Sequence, residues 1–208
     1  MQKLDLANWN RKEHFEFFRK FEEPFFGLTA SIDCTKAYDD AKTLGVSFFI
    51  YYLHKTLMTV NALEPFRYRI HGDEIIIHDK VNVSSTILRE DKTFGFSFME
   101  YAEDILVFNT ICLKEIERVR NAPGLFTRDF NEVNLIHFSS IPWVDFTSLS
   151  HARSFSFPDS CPKISFGKMT IDEKGIKSMP LSIHVHHGLM DGYHVGQFVE
   201  LFQNLMNS

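Results

Sequence analysis

The sequence lacks any run of about 18 apolar residues, the length that a membrane-spanning helix requires, so we predict no membrane span. Its N-terminus, Met1-Gln-Lys-Leu-Asp5, has no apolar core of the kind that secretory signals carry, so secretion by that route is not expected. The cysteines Cys34, Cys112 and Cys161 are few and widely spaced. They suit a reducing cytoplasm better than a disulfide framework, and we predict a cytoplasmic protein.

Several function-bearing patterns are also missing. The chain has no excess of basic residues, because 22 Lys and Arg stand against 27 Asp and Glu, a net charge of −5. General nucleic-acid binding favours a concentrated basic face, so we expect no nucleic-acid partner. The P-loop, the GxGxxG fingerprint and the HExxH zinc helix are absent, and so is the GxSxG elbow of hydrolases. No motif therefore indicates a nucleotide-binding protein or a zinc hydrolase.

Phenylalanine, by contrast, is abundant, with 22 residues among 208. This number predicts a core or a pocket rich in aromatic rings. The length suits one full-sized domain with a substantial core, although length alone also permits two small ones. No linker, repeat or low-complexity tract divides the chain, and we predict a single domain over 1–208. Helical and strand-like segments are intermixed, so we predict an α/β fold with a sheet covered on at least one face by helices.

Hydrophobic periodicity and punctuation residues predict the individual elements. Helices are predicted over 9–19, 35–44, 47–63 and 102–120, and from 195 towards the C-terminus. Strands are predicted over 28–33, 67–70, 74–78, 83–88, 93–101, 134–139, 163–171 and 179–186. The loop over 147–162 is the longest irregular stretch, and long loops in compact domains are often functional.

The stretch 180–194 holds four of the ten histidines. Alternating apolar and polar residues predict a strand there, and Asp191-Gly192 predicts a chain reversal after it. His187 therefore lies where a strand gives way to a loop, with Asp191 four residues further on. A histidine held in this way is suited to general-base chemistry. The alternative is a surface histidine next to a turn aspartate.

A metal site is a third interpretation of the same stretch. His184 and His186 share one face of the predicted strand, and His194 is close in sequence. Zinc in proteins takes four ligands in structural sites and three plus water in catalytic ones. No cysteine pair supports such a site here, so we expect no metal.

Ser148 and Arg11 each have two interpretations. The hydroxyl of Ser148 follows a proline-containing strand end and could donate to a developing oxyanion, whereas a lone serine there is more often a solvated loop residue. Arg11 is either a solvated helix residue or half of a buried guanidinium–carboxylate pair. A Ser-His-Asp hydrolase would use Ser148, His187 and Asp191, but without the elbow motif nothing makes that specific.

Three motifs resemble a single family. The segment His186-His187-Gly-Leu-Met-Asp191-Gly192 fits the HHxxxDG motif of CoA-dependent acyltransferases, and its continuation to Phe198 resembles the chloramphenicol acetyltransferases. The segments Asn8-Trp-Asn-Arg-Lys-Glu-His-Phe-Glu-Phe17 and Ile141-Pro-Trp-Val-Asp-Phe-Thr-Ser148 resemble the same family. The matches follow the family's order on a chain of the family's size.

The resemblance implies a homotrimer of two-layer α+β sandwiches, each with a mixed β-sheet covered by helices and with active sites at the subunit interfaces. It implies His187 as the general base, Asp191 paired with Arg11, and Ser148 as the oxyanion donor. The implied reaction transfers acetyl from acetyl-CoA to a primary hydroxyl of chloramphenicol in a ternary complex, without a metal. Alternatives are a same-fold acetyltransferase with another hydroxylated acceptor, and a catalytically silent trimer.

The same resemblance extends to substrate contacts. Lys168 and Ser165 are implied in acetyl-CoA binding, with Ser165 in place of the family's usual threonine. Phe18, Phe26 and Phe94 are implied in acceptor binding. Phe18 stands where a tyrosine is common in the family, so one hydroxyl contact to the antibiotic is missing.

Overall fold

The structure, a computed structural model, describes residues 1–129, 131–154 and 159–208. Within these ranges the chain forms five α-helices: α1 (Lys12–Phe18), α2 (Thr35–Thr43), α3 (Phe48–Ala62), α4 (Ile105–Asn121) and α5 (Gly192–Met206). A short 3-10 helix (Glu64–Arg67) follows α3. No helix in the described part of the chain is both long and apolar enough to cross a bilayer.

Ten strands are described. They are β1 (Gln2–Lys3), β2 (Phe25–Asp33), β3 (Tyr68–His71), β4 (Glu74–Ile77), β5 (Asn82–Leu88), β6 (Phe94–Phe96), β7 (Leu135–Ser140), β8 (Lys163–Phe166), β9 (Thr170–Ile171) and β10 (Lys177–His186). The main sheet has the order β2-β10-β8-β7-β5-β6, with β9 pairing to one end of β10. A smaller sheet has the order β1-β4-β3. The pairs β5–β7 and β7–β8 are parallel and the others antiparallel, which confirms the predicted α/β fold with a mixed sheet.

Strand β10 lies deep in the main sheet, between β2 and β8. Successive side chains of a strand point to opposite faces. Leu181, Ile183 and Val185 are fully buried and belong to the hydrophobic core, while Ser182 and His186 are buried on the other face. The strand therefore carries an apolar face for the core and a polar face for other contacts.

Helix α5 returns directly from the end of β10 onto the core. Its buried residues Val195, Phe198, Phe202 and Met206 recur at helical spacing. Burying each such side chain contributes about 1.5–3 kcal/mol, so this face holds the helix against the body. The first residues of α5 are consequently fixed next to the last residues of β10.

The observed elements agree with the predicted ones, with three corrections. The predicted strand over 163–171 is two strands, because Pro180 opposite Gly167 has no N–H to donate and the next N–H, of Lys168, turns to the Val144 carbonyl at 2.8 Å. The predicted strand over 93–101 is regular only in β6. The two-residue strand β1 was not predicted, since so short a run has no readable period. Residues 155–158 of the predicted loop lie outside the described residues.

Candidate active site

Arg11 immediately precedes α1 and is almost fully buried. Its Nη1 donates a hydrogen bond to Asp191 Oδ2, which completes an ion pair across 180 residues of sequence. Its Nη2 donates to the carbonyl oxygen of His187 at 3.2 Å. One guanidinium therefore ties the N-terminal segment both to the end of β10 and to the start of α5.

Asp191 is the N-cap of α5. Its Oδ1 accepts a hydrogen bond from the Tyr193 N–H at 3.1 Å and lies 2.9 Å from His194 Nδ1, which also lies 3.2 Å from the Asp191 backbone nitrogen. Burial raises the pKa of Asp191, but the hydrogen bonds from Arg11 and His194 together lower it by more, so the pKa lies below its ordinary value. The carboxylate is thus held ionised. The Asp-x-x-His spacing of this capping box is the sequence signal from which the role of His194 could have been predicted.

His187 follows the last residue of β10 and is half-buried. Its backbone N–H donates to the Pro24 carbonyl at 2.8 Å, and its ring Nδ1 lies 3.2 Å from the Met190 carbonyl. A carbonyl oxygen can only accept, so in the neutral ring the proton sits on Nδ1 and the lone pair is on Nε2, which has no hydrogen-bond partner among the described residues. This is the tautomer that a general base needs.

Two aromatic rings fix the plane of the His187 imidazole. Phe18 stacks on it with ring centroids 4.0 Å apart and an interplanar angle of 17°. The Phe26 ring also contacts the imidazole, with ring centroids 4.5 Å apart and an interplanar angle of 46°. The predicted residues His187, Arg11, Asp191, Phe18 and Phe26 are therefore together in one chain, and we call this group the histidine half.

His186, the last residue of β10, has a different environment from that of His187. It is 4% exposed, and its Nδ1 accepts a hydrogen bond from the Gly188 N–H at 3.1 Å. Burial, assisted by the charge of Arg153, lowers the pKa of His186 to about 4. The ring is therefore neutral at physiological pH and braces the turn that presents His187.

The other predicted site residues lie elsewhere in the chain, and we call Ser148, Ser165, Lys168 and Phe94 the serine half. Ser148 and Lys168 are exposed, and Phe94 is 44% exposed on the edge strand β6. Ser165 is fully buried in β8, and its Oγ has no hydrogen-bond partner among the described residues. Within the described residues, no ring contact or hydrogen bond joins these four to His187.

The described residues contain one group of three potential metal ligands within 4.8 Å of one another, formed by His137, Asp159 and Cys161. The ammonium of Lys163 already pairs with Asp159, so a cation there would compete with a buried ion pair. The alternative set of His184, His186 and His194 does not converge, because His194 faces Asp191 while His184 packs on another ring.

Comparisons with known proteins show which proteins this chain is similar to. The family model described as chloramphenicol acetyltransferase matches residues 1–203. Chloramphenicol acetyltransferase 3 of Escherichia coli is 34% identical over 211 residues, covering 99% of this chain and 97% of that relative. A chloramphenicol acetyltransferase of Proteus mirabilis is 33% identical over 204 residues, covering 96% of this chain and 92% of the relative. A solved chloramphenicol acetyltransferase structure matches with a TM-score of 0.86 and 29% identity, covering 99% of this chain and 100% of that one.

Proposed function

This chain belongs to the chloramphenicol acetyltransferase family, and from that premise we propose that it transfers the acetyl group of acetyl-CoA to a primary hydroxyl of chloramphenicol, which inactivates the antibiotic. The observation that supports the proposal most is the state of His187. Its Nδ1 hydrogen-bonds with the Met190 carbonyl, and its ring packs against the rings of Phe18 and Phe26. The lone pair on Nε2 is therefore placed to take a proton from an acceptor.

In the proposed mechanism His187 removes the proton of the acceptor hydroxyl. The oxygen attacks the thioester carbonyl of acetyl-CoA, Ser148 donates a hydrogen bond to the resulting oxyanion, and collapse releases the CoA thiol. General-base catalysis contributes about 10²–10⁴-fold and one oxyanion donor about 10²–10³-fold. Arg11 and Asp191 hold the backbone of His187 in place and take no part in the proton transfer.

The residues proposed to meet acetyl-CoA suit a polar ligand. The Oγ of Ser165 is buried without a partner, and such a group is stabilised by a hydrogen bond to a ligand or a bound water. Lys168 lies three residues further along the chain, at the break after β8. Its side chain is exposed and can reach a negatively charged phosphate. Both features support placing the pantetheine and nucleotide parts of the co-substrate along this side of the sheet.

We further propose that the catalytic unit is the single domain 1–208 and that it works as a cytoplasmic homotrimer. The two halves of the site support this assembly. Phe26 lies on β2 and Phe94 on β6, at opposite edges of the main sheet. Five spacings of about 4.8 Å separate these edges by roughly 24 Å, too far for both rings to hold one small acceptor. A second copy that brings its serine half to the histidine half of the first completes the site.

A turnover assay tests the activity. The protein is mixed with acetyl-CoA and chloramphenicol, and thiol release is followed in parallel with a panel of other primary alcohols. We expect release that depends on chloramphenicol, at a rate far above hydrolysis of acetyl-CoA. A folded protein that binds CoA but gives only background release contradicts the proposed activity.

Mixed assemblies test the shared site. Chains carrying His187→Ala and chains carrying Ser148→Ala are co-expressed with different tags, and mixed trimers are purified through both. If each site joins His187 of one copy to Ser148 of the next, about one third of the sites in every mixed trimer contain both groups. We expect that fraction of wild-type activity. Mixed trimers as inactive as the two parents would place both groups in the same chain.

A second acceptor class is favoured by one observation. Phe17, Phe18 and Phe21 form an aromatic cluster with ring centroids 5.0–5.2 Å apart, and Phe17 is 59% exposed. An exposed aromatic patch beside the proposed base suits an apolar alcohol. Faster acetylation of an apolar alcohol than of chloramphenicol in the same panel would establish this alternative.

A further inference from the structure

Gly27 marks a close approach between two strands. It lies directly opposite His184 in the β2–β10 register. A Cβ added to Gly27 would overlap the imidazole ring of His184, which therefore lies flat across the glycine. Glycine within a strand often marks such a close approach. The ring of His184 is thus placed by the backbone of its neighbour, on the polar face of the sheet.

The His184 ring contacts the chain segment that follows Ser148. The backbone of Leu149 interacts with its imidazole. The ring of His151 stands edge-on against it, with centroids 4.8 Å apart and an interplanar angle of 88°. Nδ1 of His184 also lies 3.4 Å from Ser182 Oγ, and this contact helps to orient the ring. Two residues of one loop thus rest on a single histidine of β10.

The segment 149–154 follows the sheet with a strand-like alternation. Residues 149, 151 and 153 are half-buried, and residues 150, 152 and 154 are exposed. The third inward residue, Arg153, places its guanidinium 3.7 Å above the ring of Phe25 and pairs with Glu23. The His151 and Arg153 side chains therefore contact β10 and β2, and Ser148 immediately precedes the segment that they hold.

We propose that His184 is a positioning residue that holds the segment 149–154 on the sheet and thereby sets the location of the Ser148 hydroxyl. The inference rests on the proposed function, in which Ser148 is the oxyanion donor. Ser148 itself is exposed, so its own packing does not hold it. The first inward residue, Leu149, is covalently next to it, and a displacement of about 1 Å in a catalytic group can cost up to about 10²-fold in rate.

The test compares His184→Ala with His184→Gln. Glutamine keeps an N–H donor on a side chain of similar reach, so it preserves the interaction with the Leu149 backbone, whereas alanine removes it. We expect kcat to fall about tenfold or more in H184A, with KM for acetyl-CoA within about twofold, and to return to within about threefold of wild type in H184Q. Equal losses in both variants, or a loss confined to KM, would overturn the proposal. His71→Ala, an exposed histidine on β3, is the matched control.

A double variant separates positioning from general structure. If His184 acts through Ser148, then H184A in a Ser148→Ala background lowers kcat by less than about twofold, because the group it positions is already gone. A further full tenfold loss would show that His184 acts independently of Ser148 and would overturn the proposal. Full activity of S148A alone would instead contradict the oxyanion role, so the two failures are distinguishable.

The Gly27→Ala variant tests the same proposal without changing the His184 side chain. The added methyl displaces the ring, so we expect a fall in kcat comparable with that of H184A. In the G27A/H184A double variant the smaller side chain leaves room for the methyl, and the two losses should not add. Wild-type kcat in G27A, or fully additive losses in the double variant, would overturn the proposal. Circular dichroism and trimer content are measured for each variant to confirm folding.

Discussion

The histidine half and the serine half differ in how the chain holds them. His187 is held by hydrogen bonds to its backbone and its ring and by the stacked ring of Phe18. The ion pair of Arg11 with Asp191 supports this arrangement from the N-terminal segment. Ser148 is exposed, and among the described residues its support comes from the neighbouring segments, through the Val144 carbonyl before it and residues 149–154 after it. A base must keep one tautomer and one plane, whereas an oxyanion donor needs only a distance to the reacting carbonyl. The difference supports the proposal that one copy of the chain preorganises the base for proton transfer, while oxyanion binding is completed when the copies assemble.

The largest expected effects come from removing the reacting groups. His187→Ala should lower kcat by about 10²–10⁴-fold, because it removes the proposed general base. Ser148→Ala should lower it by about 10²–10³-fold, since water can partly replace one hydroxyl donor. Both are measured by thiol release at saturating substrates. A larger loss in S148A than in H187A would reverse the ranking of the two halves.

The ion pair of the histidine half comes next. Asp191→Asn keeps an N-cap side chain for α5 but removes the charge that Arg11 needs, leaving a buried guanidinium without its counter-ion. Because Asp191 is about one-third exposed, we expect a loss of about 1–3 kcal/mol of unfolding free energy, less than for a fully buried pair. We also expect kcat to fall about tenfold, because Arg11, which donates to the His187 carbonyl, loses the carboxylate that holds it.

Asp104→Asn is the matched control for that substitution. Asp104 caps α4 with hydrogen bonds from the Leu106 and Val107 N–H groups, and within the described residues it has no arginine partner. Its conversion to Asn should cost less than about 1 kcal/mol. Urea denaturation of both variants checks the comparison. Equal losses at the two caps would mean that the Arg11 pair contributes nothing beyond capping.

The two halves also differ in how far the sequence predicts them. β10, the turn and α5 follow one another in the chain, so a period of two changing to 3.6 predicts His187 at a strand end. The pairing of Arg11 with Asp191 spans 180 residues, and spacing cannot reveal it, so only the family resemblance indicated it. The environment of Ser148 depends on the loop contacts of His184, which have no local pattern at all. Long-range contacts of single side chains are what the sequence leaves open.

Acid pH should affect both halves alike. Burial lowers the pKa of His186 in the histidine half and of His151 next to the serine half to about 4 each. An unfolded histidine has a pKa of about 6.5, so between these values the unfolded state binds protons that the folded state does not. Stability therefore falls as the pH drops from about 6.5 towards 4. His186→Gln and His151→Gln should each reduce that slope by about 1 kcal/mol per pH unit, measured by urea denaturation from pH 4.5 to 6.5. A slope unchanged by both substitutions would contradict the neutral state of these rings.

The smallest expected effect concerns the acceptor. Phe18 stacks on His187 and stands where a tyrosine is common in the family. Phe18→Tyr adds a hydroxyl at the edge of the proposed acceptor site, and one new hydrogen bond of about 0.5–1.5 kcal/mol corresponds to a roughly two- to tenfold lower KM for chloramphenicol. Phe17→Tyr is the matched control, since Phe17 is 59% exposed and does not stack on His187. We expect F17Y to leave KM unchanged. If both variants behave alike, the Phe18 ring serves only to hold the histidine, and acceptor selection belongs to the serine half of the neighbouring copy.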